Sequence, residues 1–223
     1  MELPLVFDVM LHLGTLCVVV AVFWRDIVSI VSASVRLDFK TEEGKLAIFL
    51  VVGSIPTALI GLLFHDTLEA LFYNPLVVGA ALLVTGFFLY ISECQETMRK
   101  LSFLDSILIG IAQGVAIVPG ISRSGLTIAT GLLRKVERET AFKYSFLLSV
   151  PAIIGATITE SRELAINHLD LVLMVLGVIT SFLVGYASLK LLKKIVMKKR
   201  LRLFAYYCWI VGIAVVVSSC FFL

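Results

Sequence analysis

The feature that most constrains this chain is its series of long apolar runs. Six such runs occupy residues 5–24, 46–64, 75–92, 141–159, 169–189 and 203–223. A helix of about 20 residues crosses a hydrocarbon layer of about 30 Å and satisfies its own backbone hydrogen bonds there. Hydrophobic residues make up 60% of the chain and charged residues only 16%, which argues against an ordinary soluble domain. We therefore predict an all-α polytopic membrane protein with six transmembrane helices.

The Lys and Arg residues between these runs predict the topology. They concentrate in four connections, at residues 25–45, 99–100, 134–143 and 190–202. The two other connections are poor in such residues: residues 65–74 contain neither Lys nor Arg, and residues 160–170 contain a single Arg. The positive-inside rule places the four basic connections in the cytoplasm and the other two outside. We expect a multi-pass protein of the cytoplasmic membrane.

A seventh apolar stretch, residues 107–133, is interrupted at residues 118–125 by the sequence VPGISRSG. Basic residues flank it on both sides, so it should enter and leave the membrane in the same compartment. Each limb has about a dozen residues or fewer, which at about 1.5 Å per residue reaches only about half the hydrocarbon thickness. These features predict a re-entrant helical hairpin.

The order of elements suggests an inverted repeat within one integral membrane domain, residues 1–223. Three spans precede the hairpin and three follow it, so the two halves would insert with opposite orientations. We predict an incomplete first repeat at residues 1–92, whose own first hairpin is expected to be missing, and a second repeat at residues 105–223. The segment GSIPTALIG at 53–61 resembles GVITSFLVG at 177–185, although small residues also recur at any tight membrane helix interface.

The hairpin tip carries the strongest chemical signal, the sequence PGISRSGLT at residues 119–127. Pro and Gly end the first limb, and either Ser122 or Ser124 can cap the second. Free N–H groups, hydroxyls and the Arg123 guanidinium then converge, which favours binding of a phosphate-type anion. An arginine at this depth marks a functional site unless it pairs with a buried carboxylate or caps backbone carbonyl groups.

Several further polar residues are candidates for the same site. Ser124, Thr127, Gly120 and Gln113 are predicted to bind substrate, while small hydroxyl residues also commonly satisfy local backbone groups. A helix-to-helix hydrogen bond is the simpler explanation for Gln113. His12, four residues after Asp8, could relay protons, but we favour an interhelical hydrogen bond.

These motifs resemble those of the undecaprenyl-diphosphate phosphatase family, also known for bacitracin resistance. The most specific match is GIAQGVAIVPGISRSGLT at residues 110–127. Further matches are FDVMLHLGT at 7–15, GSIP at 53–56 and FKYSFLLSVP at 142–151. The family begins with another re-entrant segment that supplies glutamates, serines and a histidine. We expect this chain to begin after that segment, so none of those roles is carried over.

The resemblance implies a hydrolase that removes the terminal phosphate of undecaprenyl diphosphate and so recycles the lipid carrier of cell-wall synthesis. It implies Arg123 and Ser122 as catalytic residues, and Mg²⁺ or Ca²⁺ as a cofactor whose ligands are unknown. The expected partners are a polyprenyl diphosphate, membrane lipids and a second copy in a homodimer, with no nucleic acid. Two alternatives stay open: a polyprenyl-phosphate flippase or transporter, and an inactive, N-terminally truncated member.

Overall fold

The computed structural model describes residues 5–64, 68, 71–72, 74–96, 99–161 and 171–222. This part of the chain contains nine helices and no strand beyond one isolated bridge. The helices are α1 (Leu5–Val22), α2 (Trp24–Val35), α3 (Glu42–Leu63), α4 (Pro75–Glu93), α5 (Phe103–Val115), α6 (Arg123–Leu133), α7 (Arg138–Ser161), α8 (Leu171–Met197) and α9 (Arg202–Phe222). The predicted all-α fold is confirmed.

The membrane spans agree with the sequence prediction, with some shifts in their ends. Five helices, α3, α4, α7, α8 and α9, are long and apolar enough to cross a bilayer, and the bent pair α1 and α2 supplies a sixth candidate. Helix α8 continues to Met197, past the predicted end at 189, because the following Leu and Lys residues are good helix formers. The loop residues 65–67 and 162–170 lie outside the described residues, as does residue 223 at the predicted end of the last span.

The described contacts divide the chain into two compact units. One comprises Met1–Ala47 and Phe146–Lys194, and the other comprises Ile48–Ser145 and Ile195–Leu223. The hairpin and its neighbours α4 and α9 belong to the second unit. The predicted single domain and the inverted repeat stay predictions.

Small residues allow close packing of helices in the second unit. A Cβ added to Gly110 of α5 would lie 2.1 Å from the carbonyl oxygen of Gly53 in α3.

Helices α4 and α9 form a close antiparallel pair in this second unit. Asn74 caps α4 by accepting a hydrogen bond from Leu76 N at 3.1 Å, and Pro75 occupies the first helical position. A Cβ on Gly212 of α9 would lie 2.9 Å from the carbonyl oxygen of Gly79 in α4. The absence of side chains here lets α9 approach α4, which in turn supports the hairpin tip.

The two ends of the hairpin meet at its base. Arg99 N donates to Lys135 O at 3.0 Å, and Glu137 N donates to Arg99 O at 3.0 Å. The segment before α5 and the segment after α6 therefore lie side by side. This confirms that the apolar stretch leaves on the side from which it entered, as its flanking basic residues predicted.

A buried carboxylate, Asp105 in the first turn of α5, joins the charges at this base. Its side chain is 0% exposed and accepts hydrogen bonds from Arg99 Nη2 at 2.8 Å and Arg134 Nε at 2.9 Å. Ser102 caps α5 and shares a reciprocal capping box with Asp105. Burial alone would raise the pKa of the Asp105 carboxyl, but the hydrogen bonds from Ser102, Arg134 and Arg99 hold this pKa below its ordinary value.

Replacing Asp105 with Asn should destabilise the protein by about 2 kcal/mol, because charge-assisted hydrogen bonds to two arginines are lost. The measurement is denaturant or thermal unfolding in detergent. A carboxylate whose pKa is lower in the folded state stabilises the folded protein at pH values above its unfolded-state pKa. The difference in free energy of unfolding between the parent and Asp105→Asn should therefore disappear as the pH falls through the acidic range. Glu96→Gln, at an exposed carboxylate that accepts no hydrogen bond from a described residue, is the control and should change stability by less than about 0.5 kcal/mol. Equal losses of stability in the two variants would contradict the role assigned to Asp105 at the base of the hairpin.

Candidate functional site

The tip of the hairpin includes a non-helical turn, residues 116–122, between α5 and α6. Its reversal depends on Gly120, which has a φ of +92°. A Cβ at Gly120 would also lie 2.4 Å from the carbonyl oxygen of Val78 in α4. Only glycine fits both the backbone angle and the close approach. Gly120, predicted to bind substrate, therefore has a demonstrable role in shaping the turn.

Thr85 of α4 supports this turn from behind. Its side chain is buried, and its hydroxyl donates to Gly120 O at 3.3 Å. Thr85 Oγ1 in turn accepts a hydrogen bond from the N–H of Ser122 at 3.2 Å. One hydroxyl thus satisfies two backbone groups of the turn that immediately precedes Arg123. Sequence reasoning missed Thr85, whose only signal was a hydroxyl residue inside an apolar span.

Helix α6 begins directly after the turn. Ser122 is its N-cap, and its Oγ accepts a hydrogen bond from Gly125 N at 3.2 Å. This resolves the choice between Ser122 and Ser124 as the cap. The backbone N–H groups of Arg123 and Ser124 make no hydrogen bond to any residue that the structure describes. The start of α6 therefore presents free donors, as helix N-termini do.

The Arg123 side chain, at the first position of α6, is half-buried. Within the described ranges its guanidinium forms no hydrogen bond and no ion pair. The alternative in which Arg123 serves to neutralise a buried carboxylate is therefore not realised in this part of the chain. A guanidinium beside free N–H groups, with the exposed Ser122 hydroxyl next to it, forms a receptor for an anion.

Two other predicted site residues lie behind the tip. Thr127 is 1% exposed; its hydroxyl donates to Arg123 O at 2.8 Å and lies 2.5 Å from Ser145 Oγ of α7. Gln113 is also 1% exposed, and its Nε2 donates to Thr57 Oγ1 of α3 at 3.4 Å, which is the interhelical contact considered above. Direct contact of Thr127 or Gln113 with substrate stays a prediction. Ser145 is a further residue that sequence reasoning did not select.

The charges around the tip suit an anion better than a cation. No group of three or more His, Cys, Asp or Glu residues that could hold a metal ion occurs in the described residues. The side chains of the tip contribute hydroxyls and one guanidinium. His12 lies in α1, within the first unit, and the Asp8 side chain is outside the description, so their relay stays a prediction.

Comparison with known proteins gives a consistent result. Residues 2–214 match the family described as bacitracin resistance protein BacA. A protein of Methanosphaera stadtmanae named undecaprenyl-diphosphatase is 42% identical over 98% of this chain and 86% of its own length. Proteins of the same name from Halothermothrix orenii and Desulfosudis oleivorans are 42% and 43% identical, each over 95% of this chain and over 82% and 83% of their own lengths.

Replacing Gly120 with Ala should destabilise the tip, because a left-handed backbone and an overlap with Val78 O cost about 1–3 kcal/mol or more. The measurement is the free energy of unfolding in detergent. The control is Gly155→Ala in α7, where an added Cβ has no heavy atom within 4 Å. That variant should be neutral or more stable by up to about 1 kcal/mol, since Ala favours helix over Gly. A Gly120→Ala protein as stable as the parent would contradict the described turn.

Proposed function

This chain belongs to the BacA family of bacitracin resistance proteins, and we propose that it is an undecaprenyl-diphosphate phosphatase. The reaction is hydrolysis of a phosphoric anhydride. Water and undecaprenyl diphosphate give undecaprenyl monophosphate and inorganic phosphate, and the P–O bond to the terminal phosphate breaks. The monophosphate returns to cell-wall synthesis as its lipid carrier.

The observation that carries the proposal is Arg123 at the start of α6, whose guanidinium has no hydrogen-bond or ion-pair partner among the residues that the structure describes. A diphosphate headgroup brings several negative charges into a region of low dielectric, where they need preorganised donors. The Arg123 guanidinium can bind phosphate oxygens bidentately, and the free N–H groups of Arg123 and Ser124 can donate to the same headgroup. The exposed Ser122 hydroxyl stands beside them as another donor.

These donors would act mainly on the transition state. Phosphoryl transfer spreads charge over the oxygens of the transferred group, and catalysis depends on positioning and charge stabilisation. We assign Arg123 and Ser122 to stabilising that charge, with Ser124 and the backbone of α6 holding the headgroup. Because Gly120 and Thr85 fix the turn before α6, they determine where these donors point.

Other parts of the proposal rest on the sequence and on the family resemblance, and the geometry of the tip does not bear on them. We propose that the protein acts in the cytoplasmic membrane, among membrane lipids, and that it forms a homodimer. We also propose a requirement for Mg²⁺ or Ca²⁺. Since the described residues contain no set of ligands suited to a metal ion, we assign no step to the cation.

Replacing Arg123 with Ala should lower kcat/KM for phosphate release from undecaprenyl diphosphate by about 10²–10³-fold, as expected for loss of a preorganised donor to developing charge. Arg123→Lys keeps the charge but cannot donate two parallel hydrogen bonds as a guanidinium does, so its kcat/KM should lie between those of the parent and Arg123→Ala. The assay measures inorganic phosphate in detergent with Mg²⁺. Arg200→Gln, at an exposed arginine between α8 and α9, is the control and should retain activity. An Arg123→Ala protein as active as the parent would refute the site, and absence of hydrolysis by the parent would count against the phosphatase.

Replacing Thr85 with Val should lower kcat by about tenfold to a hundredfold, because loss of its two hydrogen bonds lets the turn before Arg123 move. Thr85→Ser, which keeps the hydroxyl, should restore most of this loss. The measurement is the separate determination of kcat and KM for phosphate release.

The matched control for Thr85 is Ser106→Ala. The buried Ser106 hydroxyl of α5 bonds to Phe49 O of α3 and to the Tyr144 hydroxyl of α7, away from the tip. Loss of either the Thr85 or the Ser106 hydroxyl should reduce stability by about 1–3 kcal/mol. If Thr85 positions the tip, the kcat of Thr85→Val falls well below that of Ser106→Ala at similar stability. Equal kcat values in these two variants would reduce Thr85 to a packing role.

A further inference from the structure

Helix α2 carries an apolar stripe that the protein leaves uncovered. Trp24, Val28, Val31 and Val35 are 60%, 45%, 54% and 79% exposed. Their spacing of four, three and four residues places them on one narrow face of the helix. A stripe of this kind on the outside of a protein marks an interaction surface.

The remainder of α2 has two other faces. Arg25, Ser29 and Arg36 are exposed and lie roughly 100° around the helix axis from the apolar stripe. Ile30, on the far side, is buried at 8% exposure and anchors α2 to the rest of the protein. Three environments therefore meet along this helix: an apolar one, a polar one and the protein itself.

The position of α2 identifies the apolar environment. Helix α1 has 18 residues, about 27 Å of helix, and so nearly completes a membrane crossing by itself. Helix α2 follows after a single residue and turns away at 81°. A helix that starts at the end of a crossing and turns by this angle is directed along the membrane boundary, which suits the Arg25, Asp26 and serine side chains of α2 better than the hydrocarbon does.

We propose that α2 is an interfacial helix that lies on the cytoplasmic leaflet and binds anionic lipid. Trp24 and the three valines insert among the upper acyl chains. Arg25 and Arg36 lie at the level of the headgroup phosphates, where cations are attracted to anionic lipids. The basic residues of the 25–45 connection, which predicted its cytoplasmic side, match this partner in charge. A tryptophan at the end of a span is also typical of the interface.

The test measures the depth of Trp24 in vesicles of phosphatidylcholine and phosphatidylglycerol. The chain has two tryptophans, so the Trp24 signal is the emission of the parent protein minus that of Trp24→Phe. Lipids brominated near the headgroup should quench Trp24 more strongly than lipids brominated near the chain ends, because interfacial helices insert about 5–10 Å. Removing phosphatidylglycerol should weaken the quenching, and the Arg25→Gln, Arg36→Gln double variant should lose this lipid dependence.

Matched substitutions on α2 separate its faces. Val31→Asp adds a charge to the apolar stripe and should abolish quenching by brominated lipid. Ser29→Asp adds the same charge to the polar face and should leave the quenching in place. The depth profile of the parent protein tests the proposal even if Val31→Asp does not fold.

Four results would overturn the proposal in whole or in part. Quenching of Trp24 by aqueous iodide without quenching by brominated lipid would place the stripe in water. Stronger quenching by deep than by shallow bromine would make α2 part of a broken span. Protection from both quenchers would mean that a second copy covers the stripe. If the parent shows no dependence on phosphatidylglycerol, the assignment of Arg25 and Arg36 to anionic headgroups is wrong.

Discussion

The structure depends on one constraint: a backbone that leaves helical geometry at membrane depth must find partners for its polar groups within the protein or in a water-filled cavity. The hairpin breaks its helix at residues 116–122. Thr85 meets the constraint there by bonding to both Gly120 O and Ser122 N, and Gly120 lets α4 come close enough for this. Without such a partner the turn would leave unpaired groups at a cost of about 1–3 kcal/mol each.

The arginines of the hairpin show how the protein separates structural charge from functional charge. Arg99 and Arg134, at the base, share the buried Asp105 and hold the two ends of the hairpin together. Arg123, at the tip, has no such partner among the described residues. The charges at the base are therefore neutralised within the protein, whereas the tip can stabilise the charge of a bound anion.

The sequence predicted much of the fold because its strongest signals are local. Apolar runs, basic connections and the interrupted stretch around Gly120 were enough to identify the spans and the hairpin. Helix α2 was missed because its short amphipathic pattern lies within a connection notable mainly for basic residues. Asp105 and Thr85 were missed because their importance comes from contacts with Arg134 and Ser122, which are distant in sequence. A single sequence contains no signal for such pairings.

The tip motif also shows why a run of neighbouring residues does not share one role. Arg123 and Thr127 lie four residues apart and therefore on the same side of α6, yet their environments differ because Arg123 opens the helix and Thr127 lies one turn deeper in the protein. Arg123 keeps solvent access, while Thr127 points inward and bonds to Arg123 O and Ser145. Thr127 thereby holds the first turn of α6, the same turn whose N–H groups would donate to the phosphate under the proposed function. Thr127 can thus affect phosphate binding through the position of Arg123 and the first turn of α6, without touching the phosphate itself.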